Sequence, residues 1–491
     1  MVNNDFKILL SHSYFLRFDP KQWDLGRPYA PLATLYAASV LRQHGYDVSF
    51  HDNMFAQTTL EIEQELKVVS PKIFVLYDDG FNYLTKMCLT NMRQAAFEMI
   101  KIAKSHGCTV IISSSDATDH FEDYLQIGAD YVLKGEGETT LIELIDALNS
   151  DVINVMSIPG LIYKSGDHII HTPPRAVTRH LDDIPFPAWD LIDLEPYKKL
   201  WLQNAGYFSI NIVTTRGCPY KCNWCAKPIY GNRYNARSPK NVVDELVLLK
   251  TLFNYDHVWF CDDIFGLKPG WVHDFADLIM ASGLKLKFKI QSRADLLVQE
   301  NYVQSLAKAG CDNVWMGAES GSQKILDAMD KGITIDEISR ATVLLKQYGI
   351  KPSFFIQFGY PGEDFNDIRQ TIKMINRLLP YEIGISVSYP LPGTVFYERV
   401  KQELKEKSNW TDSNELALMF RNTYSPEFYK QLHKYVHKNY RKQIAFNHIL
   451  KFIKAPFTCR LNELRKAASA FYYLPAVFIE KYKLKQLQKS L

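Results

Sequence analysis

The chain has 491 residues, of which 47% are hydrophobic and 23% are charged. This composition is typical of a folded protein with enough apolar material for two or three domains. A formal net charge of only +3 argues against a dedicated nucleic-acid-binding protein, so we expect no nucleic-acid partner. The first residues do not resemble a signal peptide, and no stretch of 18 apolar residues occurs. We therefore expect a cytoplasmic protein without a spanning helix.

The first 150 residues alternate short apolar strands with helical segments such as 31–44 and 91–106. This alternation predicts a doubly wound α/β domain with a parallel sheet and right-handed crossovers. The expected strands are residues 7–12, 47–50, 72–77, 109–113 and 130–133. Sheets of this kind bind ligands outside the carboxyl ends of their strands. We therefore predict a front domain at residues 1–150 with a ligand site at that edge.

Residues 151–205 interrupt this alternation and are interpreted as a linker, with a hairpin at 163–171. The alternation returns over residues 206–405. The expected strands there are residues 209–215, 257–261, 285–291, 313–317, 352–358 and 384–389. Six such units fit a partial TIM-like barrel better than a complete eight-stranded one, which needs about 250 residues. Residues 406–491 are predicted to form a helical C-terminal region.

Three of the eight cysteines lie close together in one segment. Cys218, Cys222 and Cys225 have the spacing C-x3-C-x2-C directly after a predicted strand. Three thiolates at this spacing can ligate three irons of a [4Fe–4S] cluster and leave the fourth iron open to a substrate. The alternative is a structural zinc site, but it needs a fourth nearby ligand, and the next cysteine is only at Cys261. The remaining cysteines are scattered, as expected in a reducing compartment.

This segment resembles the signature of the radical S-adenosylmethionine (SAM) superfamily, in which an aromatic residue, here Trp224, precedes the third cysteine. Further segments resemble one branch, which has a cobalamin domain and includes the anaerobic magnesium-protoporphyrin IX monomethyl ester cyclase. These segments are Phe260-Cys-Asp-Asp-Ile-Phe-Gly-Leu, Met316-Gly-Ala-Glu-Ser-Gly-Ser, Gln357-Phe-Gly-Tyr-Pro-Gly-Glu, Ser388-Tyr-Pro-Leu-Pro-Gly-Thr and Asn409-Trp-Thr-Asp-Ser. The resemblance is specific for the branch and not for a substrate.

The resemblance implies a [4Fe–4S] cluster on the three cysteines, with the amino and carboxylate groups of SAM bound to its open iron. It also implies a set of side chains around SAM. Asp262 or Asp263 would receive the ammonium, Arg293 would pair with the carboxylate, Glu319 and Ser320 would bind the ribose, and Gly359 would lie beside the adenine. Because adjacent residues of a strand point to opposite faces, only one of the two aspartates should contact SAM. The alternative for each side chain is a polar contact that stabilises the barrel.

The front domain resembles the cobalamin-binding domains of the same branch, with two departures. The better-known motif D-x-H-x-x-G is replaced by Asp52-Asn-Met-Phe-Ala-Gln, so Met54 stands where a cobalt-ligating histidine is expected. The glycine pair that usually makes room for the nucleotide tail is replaced by a serine run centred on Ser114. We therefore expect either a cobalamin without an axial histidine or an empty front domain that only packs on the barrel.

Together these features indicate a radical SAM enzyme that generates a 5′-deoxyadenosyl radical and uses it on an unreactive carbon. Carbon methylation and oxidative cyclisation both remain open, and the substrate is expected to be a small molecule. The cluster would need an electron donor such as a flavodoxin or a ferredoxin. The alternative from another class is a non-catalytic cobalamin or redox sensor, but a sensor needs no open iron.

The C-terminal region is strongly basic. Residues 451–491 contain nine Lys or Arg against two Glu, and an apolar segment at 467–479 lies among these charges. Such a segment is too short to span a bilayer but could lie in its interface, which predicts peripheral membrane contact. The alternative is a helix packed on the barrel with a solvated basic end.

Overall fold

The computed structural model describes residues 6–82, 89–150, 154–227, 229–404, 409–413, 415–416, 418–454 and 461–489. Two of the scattered cysteines, Cys88 and Cys459, lie outside these residues. The chain divides into two compact units. Unit 1 consists of Met1–Tyr220, Ala226–Ile290 and Asn409–Glu415, and unit 2 consists of Lys221–Cys225, Gln291–Ser408 and Leu416–Leu491. The domain boundaries expected at residues 150, 205 and 405 stay predictions.

Unit 1 contains a seven-stranded sheet in the order β2-β1-β3-β4-β5-β6-β7. Its strands are β1 Lys7–Ser11, β2 Asp47–His51, β3 Ile73–Tyr77, β4 Thr109–Ser113, β5 Tyr131–Leu133, β6 Leu161–Ser165 and β7 His168–His171. The first five pair in parallel, which confirms the doubly wound front domain. The hairpin β6–β7 pairs antiparallel with β5 and so extends the front sheet beyond residue 150.

The central strands β1, β3 and β4 of the front sheet are almost fully buried, as expected for parallel strands that helices cover. Leu9, Phe74 and Val110 are fully buried and pack with Ala96 and Met99 of a covering helix. The helices of unit 1 are Pro20–Leu25, Leu32–Gln43, Ile62–Val69, Thr90–Ser105, Ser115–Asp119, Phe121–Ile127, Glu138–Leu148, Glu195–Ala205, Pro239–Phe253 and Trp271–Ser282.

The second sheet has six strands in the order β15-β14-β13-β12-β11-β8. They are β8 Ser209–Ile212, β11 His257–Phe260, β12 Phe288–Ser292, β13 Cys311–Glu319, β14 Lys351–Phe358 and β15 Glu382–Val387. The pairs β8–β11, β11–β12, β13–β14 and β14–β15 are parallel, which confirms a partial barrel. Two short strands, β9 Thr215–Arg216 and β10 Asn235–Ala236, form a separate antiparallel pair.

The helices of unit 2 follow its strands and then continue to the end of the chain. They are Ala294–Leu297, Glu300–Ala309, Gln323–Ala328, Ile335–Gln347, Phe365–Leu378, Val395–Val400, Pro426–Lys454, Leu461–Ala468 and Ala470–Lys489. The last three confirm the helical C-terminal region. Within the part of the chain that the structure describes, no helix is both long enough and apolar enough to cross a membrane.

Candidate active site

The segment that leads into Cys218 is held by Asp262, which lies just beyond the end of β11. The Asp262 carboxylate accepts hydrogen bonds from the backbone N–H groups of Thr214 and Thr215 and from the Thr214 hydroxyl, at 2.6–2.8 Å. Burial raises the pKa of Asp262 to about 6, although these hydrogen bonds work to lower it. Its neighbour Asp263 is exposed. Asp262 thus supports the segment before Cys218. Asp263 is the one of the two aspartates that is exposed to solvent.

A second anchor of the same segment is Arg216, which sequence reasoning missed. Its guanidinium forms ion pairs with Glu136 and with Glu138, the latter at 2.7 Å, and all three side chains are buried. Three aromatic rings lie within 5.7 Å of the guanidinium carbon, those of Tyr36, Phe81 and Tyr230. Arg216 therefore ties the residues before Cys218 to the Gly-Glu-Gly-Glu segment of the front domain.

In unit 2, the part of the cysteine segment after residue 220 is anchored by Asn223. Its side-chain amide donates to the carbonyl of Ala328 at 2.8 Å and to the carboxylate of Asp330 at 2.7 Å, and its oxygen accepts from the Tyr360 hydroxyl at 2.6 Å. Asn223 stands between the second cysteine and Trp224. These three hydrogen bonds fix the backbone next to two predicted site residues.

Arg293 lies beside the second cysteine. Its Nη1 is 4.0 Å from the Cys222 Sγ, its Nε donates to Asp295 at 3.0 Å, and its Nη2 donates to the Lys331 carbonyl at 2.9 Å. The side chain is almost fully buried. The arrangement places a fixed positive charge next to a thiol that must become a thiolate to bind iron.

Lys331 is a second cation of this region that sequence reasoning missed. Its Nζ forms a buried ion pair with the Glu319 carboxylate at 2.8 Å and lies 5.7 Å from the centre of the Trp224 ring. Burial works to lower the pKa of Lys331, but the negative groups of Glu319 and Cys222 raise it above its ordinary value. The ammonium is therefore charged. The predicted ribose contact of Glu319 is untested, and its carboxylate already has a cationic partner.

The ion pair depends on an unusual backbone at the end of β13. Glu319 has a φ of +55°, in the left-handed region that residues with a side chain seldom adopt. A Cβ at Gly317 would lie 2.6 Å from the Lys331 Nζ, so only glycine leaves room for the pair. Strain of this kind persists where the surrounding contacts determine the conformation, as they often do at functional sites.

The remaining predicted residues of unit 2 have structural contacts. The Ser320 hydroxyl is buried and lies 3.1 Å from that of Thr371. Gly359 has a φ of +78° and donates its N–H to the Glu363 carboxylate at 2.6 Å. Burial raises the pKa of Glu363 to about 8. The ribose contact of Ser320 and the adenine contact of Gly359 stay predictions.

The front edge of unit 1 holds a hydrogen-bonded group around Asp52. Its carboxylate lies 2.9 Å from the His12 Nε2, accepts from the Tyr197 hydroxyl at 2.7 Å, and accepts from the Met54 N–H at 2.9 Å. Burial works to raise the pKa of Asp52, but these hydrogen bonds lower it below its ordinary value. The Met54 side chain is buried. Asp52 is thus paired with His12, which directly follows β1. The D-x-H-x-x-G motif gave no sign of this contact.

The same edge carries buried polar atoms without partners among the described residues. They are the His12 Nδ1 and the Asn53 Oδ1. The Ser114 hydroxyl, in contrast, is used locally, because it accepts from the Ala117 N–H at 2.9 Å and caps a short helix. Unpaired buried polar atoms at a strand edge fit the binding of a polar ligand there. These residues therefore fit a cofactor at the edge where doubly wound sheets bind ligands.

None of the described cysteines, which include the trio, forms a disulfide bond. Over the described ranges, no group of three or more His, Cys, Asp or Glu side chains is drawn together closely enough to hold a metal ion. The chemistry of the donors nevertheless fits an iron–sulfur cluster, because the segment supplies three thiols and two buried cations lie next to Cys222 and Trp224. The trio as cluster ligands stays a prediction.

Comparison with known proteins is consistent with this geometry. Residues 212–375 match the family model of the radical SAM superfamily. An uncharacterised methyltransferase of Pyrococcus horikoshii is 27% identical over 93% of this chain and 90% of its own length. The hopanoid C-3 methylase of Methylococcus capsulatus is 25% identical over 85% of this chain and 77% of its own length. The anaerobic magnesium-protoporphyrin IX monomethyl ester cyclase of Cereibacter sphaeroides is 24% identical over 78% of this chain and 62% of its own length.

Two solved structures share the fold. OxsB, a cobalamin-dependent SAM radical enzyme with aqua-cobalamin bound, has a TM-score of 0.76 at 17% identity, covering 98% of this chain and 73% of that one. TsrM of Kitasatospora setae, a radical SAM methyltransferase with cobalamin and a [4Fe–4S] cluster bound, has a TM-score of 0.68 at 20% identity, covering 81% and 74%. The radical SAM domain implies a [4Fe–4S] cluster and SAM as cofactors. Residues 212–375 thus contain a radical SAM domain, and the chain is related to methyltransferases and to the anaerobic magnesium-protoporphyrin IX monomethyl ester cyclases.

Proposed function

We propose that this protein is a cobalamin-dependent radical SAM enzyme that methylates an unreactive carbon of a hydrophobic small molecule. The observation that carries the radical SAM part is the placement of Arg293 and Lys331 beside Cys222 and Trp224 in the matching domain. Oxidative cyclisation is the second candidate, favoured by the similarity to the cyclase of Cereibacter sphaeroides. Methylation comes first because two of the three relatives described above are named as a methyltransferase and a methylase.

A [4Fe–4S] cluster held by Cys218, Cys222 and Cys225 would supply the electron that cleaves SAM into methionine and a 5′-deoxyadenosyl radical. The chain's own residues prepare that site. Arg293 places a positive charge 4.0 Å from the Cys222 Sγ, and a nearby cation favours the thiolate that metal binding needs. Trp224 packs against a buried apolar cluster, which helps to exclude water from the reacting groups.

For SAM we propose Asp263 as the partner of the ammonium and Arg293 as the partner of the carboxylate. Asp262 is the weaker candidate, because its carboxylate already accepts three hydrogen bonds from Thr214 and Thr215. Glu319 would reach the ribose while Lys331 holds its carboxylate in place. Ser320 and Gly359 complete the proposed set, with the adenine beside the glycine.

Cobalamin bound at the front edge would carry the methyl group. Residues that would hold it there are His12, Asp52, Asn53, Met54 and Ser114. Support comes from the unpartnered buried atoms of His12 and Asn53 and from the wide structural likeness to OxsB. The His12 Nε2 lies 2.9 Å from Asp52, and the Met54 side chain contains no nitrogen. We therefore propose a cobalamin whose lower face carries no histidine.

The proposed substrate is a small molecule of low polarity, and the proposed electron donor is a flavodoxin or a ferredoxin. Support for the substrate class comes from two relatives, whose names specify a hopanoid and a porphyrin ester. We also propose peripheral membrane contact through the basic C-terminal region, where such molecules would be met.

The test is anaerobic reconstitution of the whole chain with iron, sulfide and hydroxocobalamin, followed by desalting. We expect retained cobalt, and a Co(II) electron paramagnetic resonance spectrum without nitrogen hyperfine coupling from the lower face. With SAM carrying a deuterated methyl group, label should appear in the cobalamin after reduction. A protein that retains no cobalt yet still produces 5′-deoxyadenosine would refute cobalamin dependence and leave a cobalamin-independent radical enzyme.

A further inference from the structure

The C-terminal helix Ala470–Lys489 packs on unit 2 with one face. Ala476, Val477 and Leu484 on this face are buried, and so is Glu480 between them. The Glu480 carboxylate forms an ion pair with Lys438 of the helix Pro426–Lys454 at 2.6 Å. This partly exposed ion pair and the apolar contacts around it fix which side of the helix faces outward.

The opposite face of this helix is also apolar, and it is exposed. Phe471, Leu474, Phe478 and Tyr482 recur at intervals of three and four residues, which places them on one side of the helix. Phe471 is 85% exposed and Phe478 is 76% exposed. An ordinary surface helix carries polar residues at these positions. Two phenylalanines that face solvent on one helix indicate a surface made for contact.

Basic side chains flank this apolar stripe. Lys481, Lys483 and Lys485 are exposed. At 100° per residue, Lys481 lies on one side of the stripe, Lys483 lies on the other, and Lys485 lies on the stripe's own face beyond Tyr482. Long lysine side chains in this position can extend past a buried aromatic layer while their ammonium groups stay in water. Arg465 and Lys466, just before the helix, add positive charge at the other end.

The neighbouring helix repeats the pattern near its own end. Phe446, Leu450 and Ile453 of Pro426–Lys454 are exposed and lie four and three residues apart, hence on one face. The two helices pack against each other. Exposed apolar residues are thus shared by both C-terminal helices.

We propose that the stripe Phe471, Leu474, Phe478 and Tyr482 docks on the surface of an anionic lipid bilayer, with the flanking lysines among the headgroups. An apolar face bordered by Lys on both sides is the pattern of an interfacial helix. A second copy of the chain fits less well. In a two-fold symmetric contact through this stripe, basic residues lie at both ends of each helix, so like charges would face each other in either orientation.

This inference deepens the membrane contact proposed above and does not depend on the proposed radical chemistry. The radical site uses Cys222, Arg293 and Lys331, none of which belongs to the C-terminal helices. Docking would bring the enzyme to molecules of low polarity that partition into the bilayer. An experiment can therefore refute the membrane docking without refuting the radical chemistry, and the reverse.

The test is co-sedimentation of the full chain with vesicles of phosphatidylcholine alone or of phosphatidylcholine mixed with phosphatidylglycerol. We expect binding to the anionic vesicles that weakens as salt is added. The double variant Phe471→Ser/Phe478→Ser should lose this binding by at least about tenfold. The triple variant Lys481→Gln/Lys483→Gln/Lys485→Gln should weaken binding to anionic vesicles by roughly a hundredfold, since each lysine near an anionic surface contributes about fivefold.

The matched control is Val343→Ser, which removes an exposed apolar side chain of similar accessibility (61%) from another helix of unit 2. It should bind vesicles like the parent, and thermal melting should show that all variants are folded. A parent protein that binds neither kind of vesicle would overturn the proposal. So would a double variant that binds vesicles normally but changes from a dimer to a monomer in light scattering, because the stripe would then be a contact between copies.

Discussion

The front edge of unit 1 and the strand ends of unit 2 occupy equivalent positions, at the carboxyl ends of parallel strands, but they are built differently. At the front edge, Asp52 is surrounded by hydrogen-bonding groups, and buried polar atoms such as the His12 Nδ1 have no partner among the described residues. In unit 2, Arg293 and Lys331 bring positive charge to Cys222 and Trp224. The first kind of edge fits a large polar cofactor, and the second fits thiolates.

Because of this difference, substitutions at the two edges should cost different amounts of stability. A buried ion pair is strongly destabilised when one partner is removed, because the other charge is left without compensation. At the front edge the loss of one hydrogen bond to a charged group costs less, about 1.5–3 kcal/mol. Substitutions at the two edges should therefore differ in size as well as in kind.

The largest effect is expected at Lys331. Lys331→Met leaves Glu319 buried and unpaired, and it should lower the free energy of unfolding by about 3–5 kcal/mol. The double variant Lys331→Met/Glu319→Gln should recover most of this loss while still lacking the cation near Trp224. Denaturant titration measures the free energy of unfolding of both variants. The control is Lys438→Met, whose side chain is 27% exposed and which should cost about 1 kcal/mol or less. Equal losses at both lysines would contradict the account.

An intermediate effect is expected at the two aspartates, in different measurements. Asp262→Asn should lower the free energy of unfolding by about 1.5–3 kcal/mol, because the charged acceptor of Thr214 and Thr215 is lost. Asp263→Asn should leave stability unchanged and weaken SAM binding by about tenfold, the worth of one charge-assisted contact. Calorimetric titration of SAM into the reconstituted protein measures the affinity. If both variants bind SAM like the parent, neither aspartate receives the ammonium.

A further effect is expected at Glu363, and it depends on pH. Burial raises the Glu363 pKa from 4.5 to about 8, so the folded protein holds this proton more tightly than the unfolded chain. Its contribution to stability is then fully present below pH 4.5 and is lost as the pH rises towards 8. Glu363→Gln should remove the part of the loss of stability at rising pH that Glu363 causes. Melting temperatures of parent and variant from pH 5 to 9 should converge at low pH and diverge at high pH. Parallel curves would show that the Glu363 pKa is ordinary.

Much of the fold could be predicted because a buried parallel strand is a short, continuous run of apolar residues, which differs from the spaced apolar pattern of a helix. The strand at Thr109–Ser113 agrees at both ends, and all six strands of the partial barrel were expected. The pairing of the hairpin β6–β7 with β5 could not be predicted, since no local pattern states which edge a hairpin joins. The expected linker therefore contributes to the front sheet.

The candidate site could be predicted only in part, for a similar reason. Spacing alone identified the cysteine trio, and strand alternation indicated that only one of Asp262 and Asp263 should bind SAM, but not which one. Lys331 is 12 residues from Glu319 along the chain, and Arg216 is 80 residues from Glu136. Ion pairs at such separations arise from the fold. The nearest signal in the sequence was the charge of Arg216 beside the trio.

The central claim is that the three clustered cysteines make this chain a radical SAM enzyme, and one measurement tests it most directly. Parent, Cys222→Ala and Cys261→Ala proteins are reconstituted anaerobically, reduced and incubated with SAM, and 5′-deoxyadenosine is quantified by mass spectrometry. Cys261 is a buried thiol whose Sγ lies 3.2 Å from the Ile212 carbonyl, so it serves as the matched control. We predict 5′-deoxyadenosine from the parent and from Cys261→Ala and none from Cys222→Ala. Undiminished product from Cys222→Ala would contradict the account.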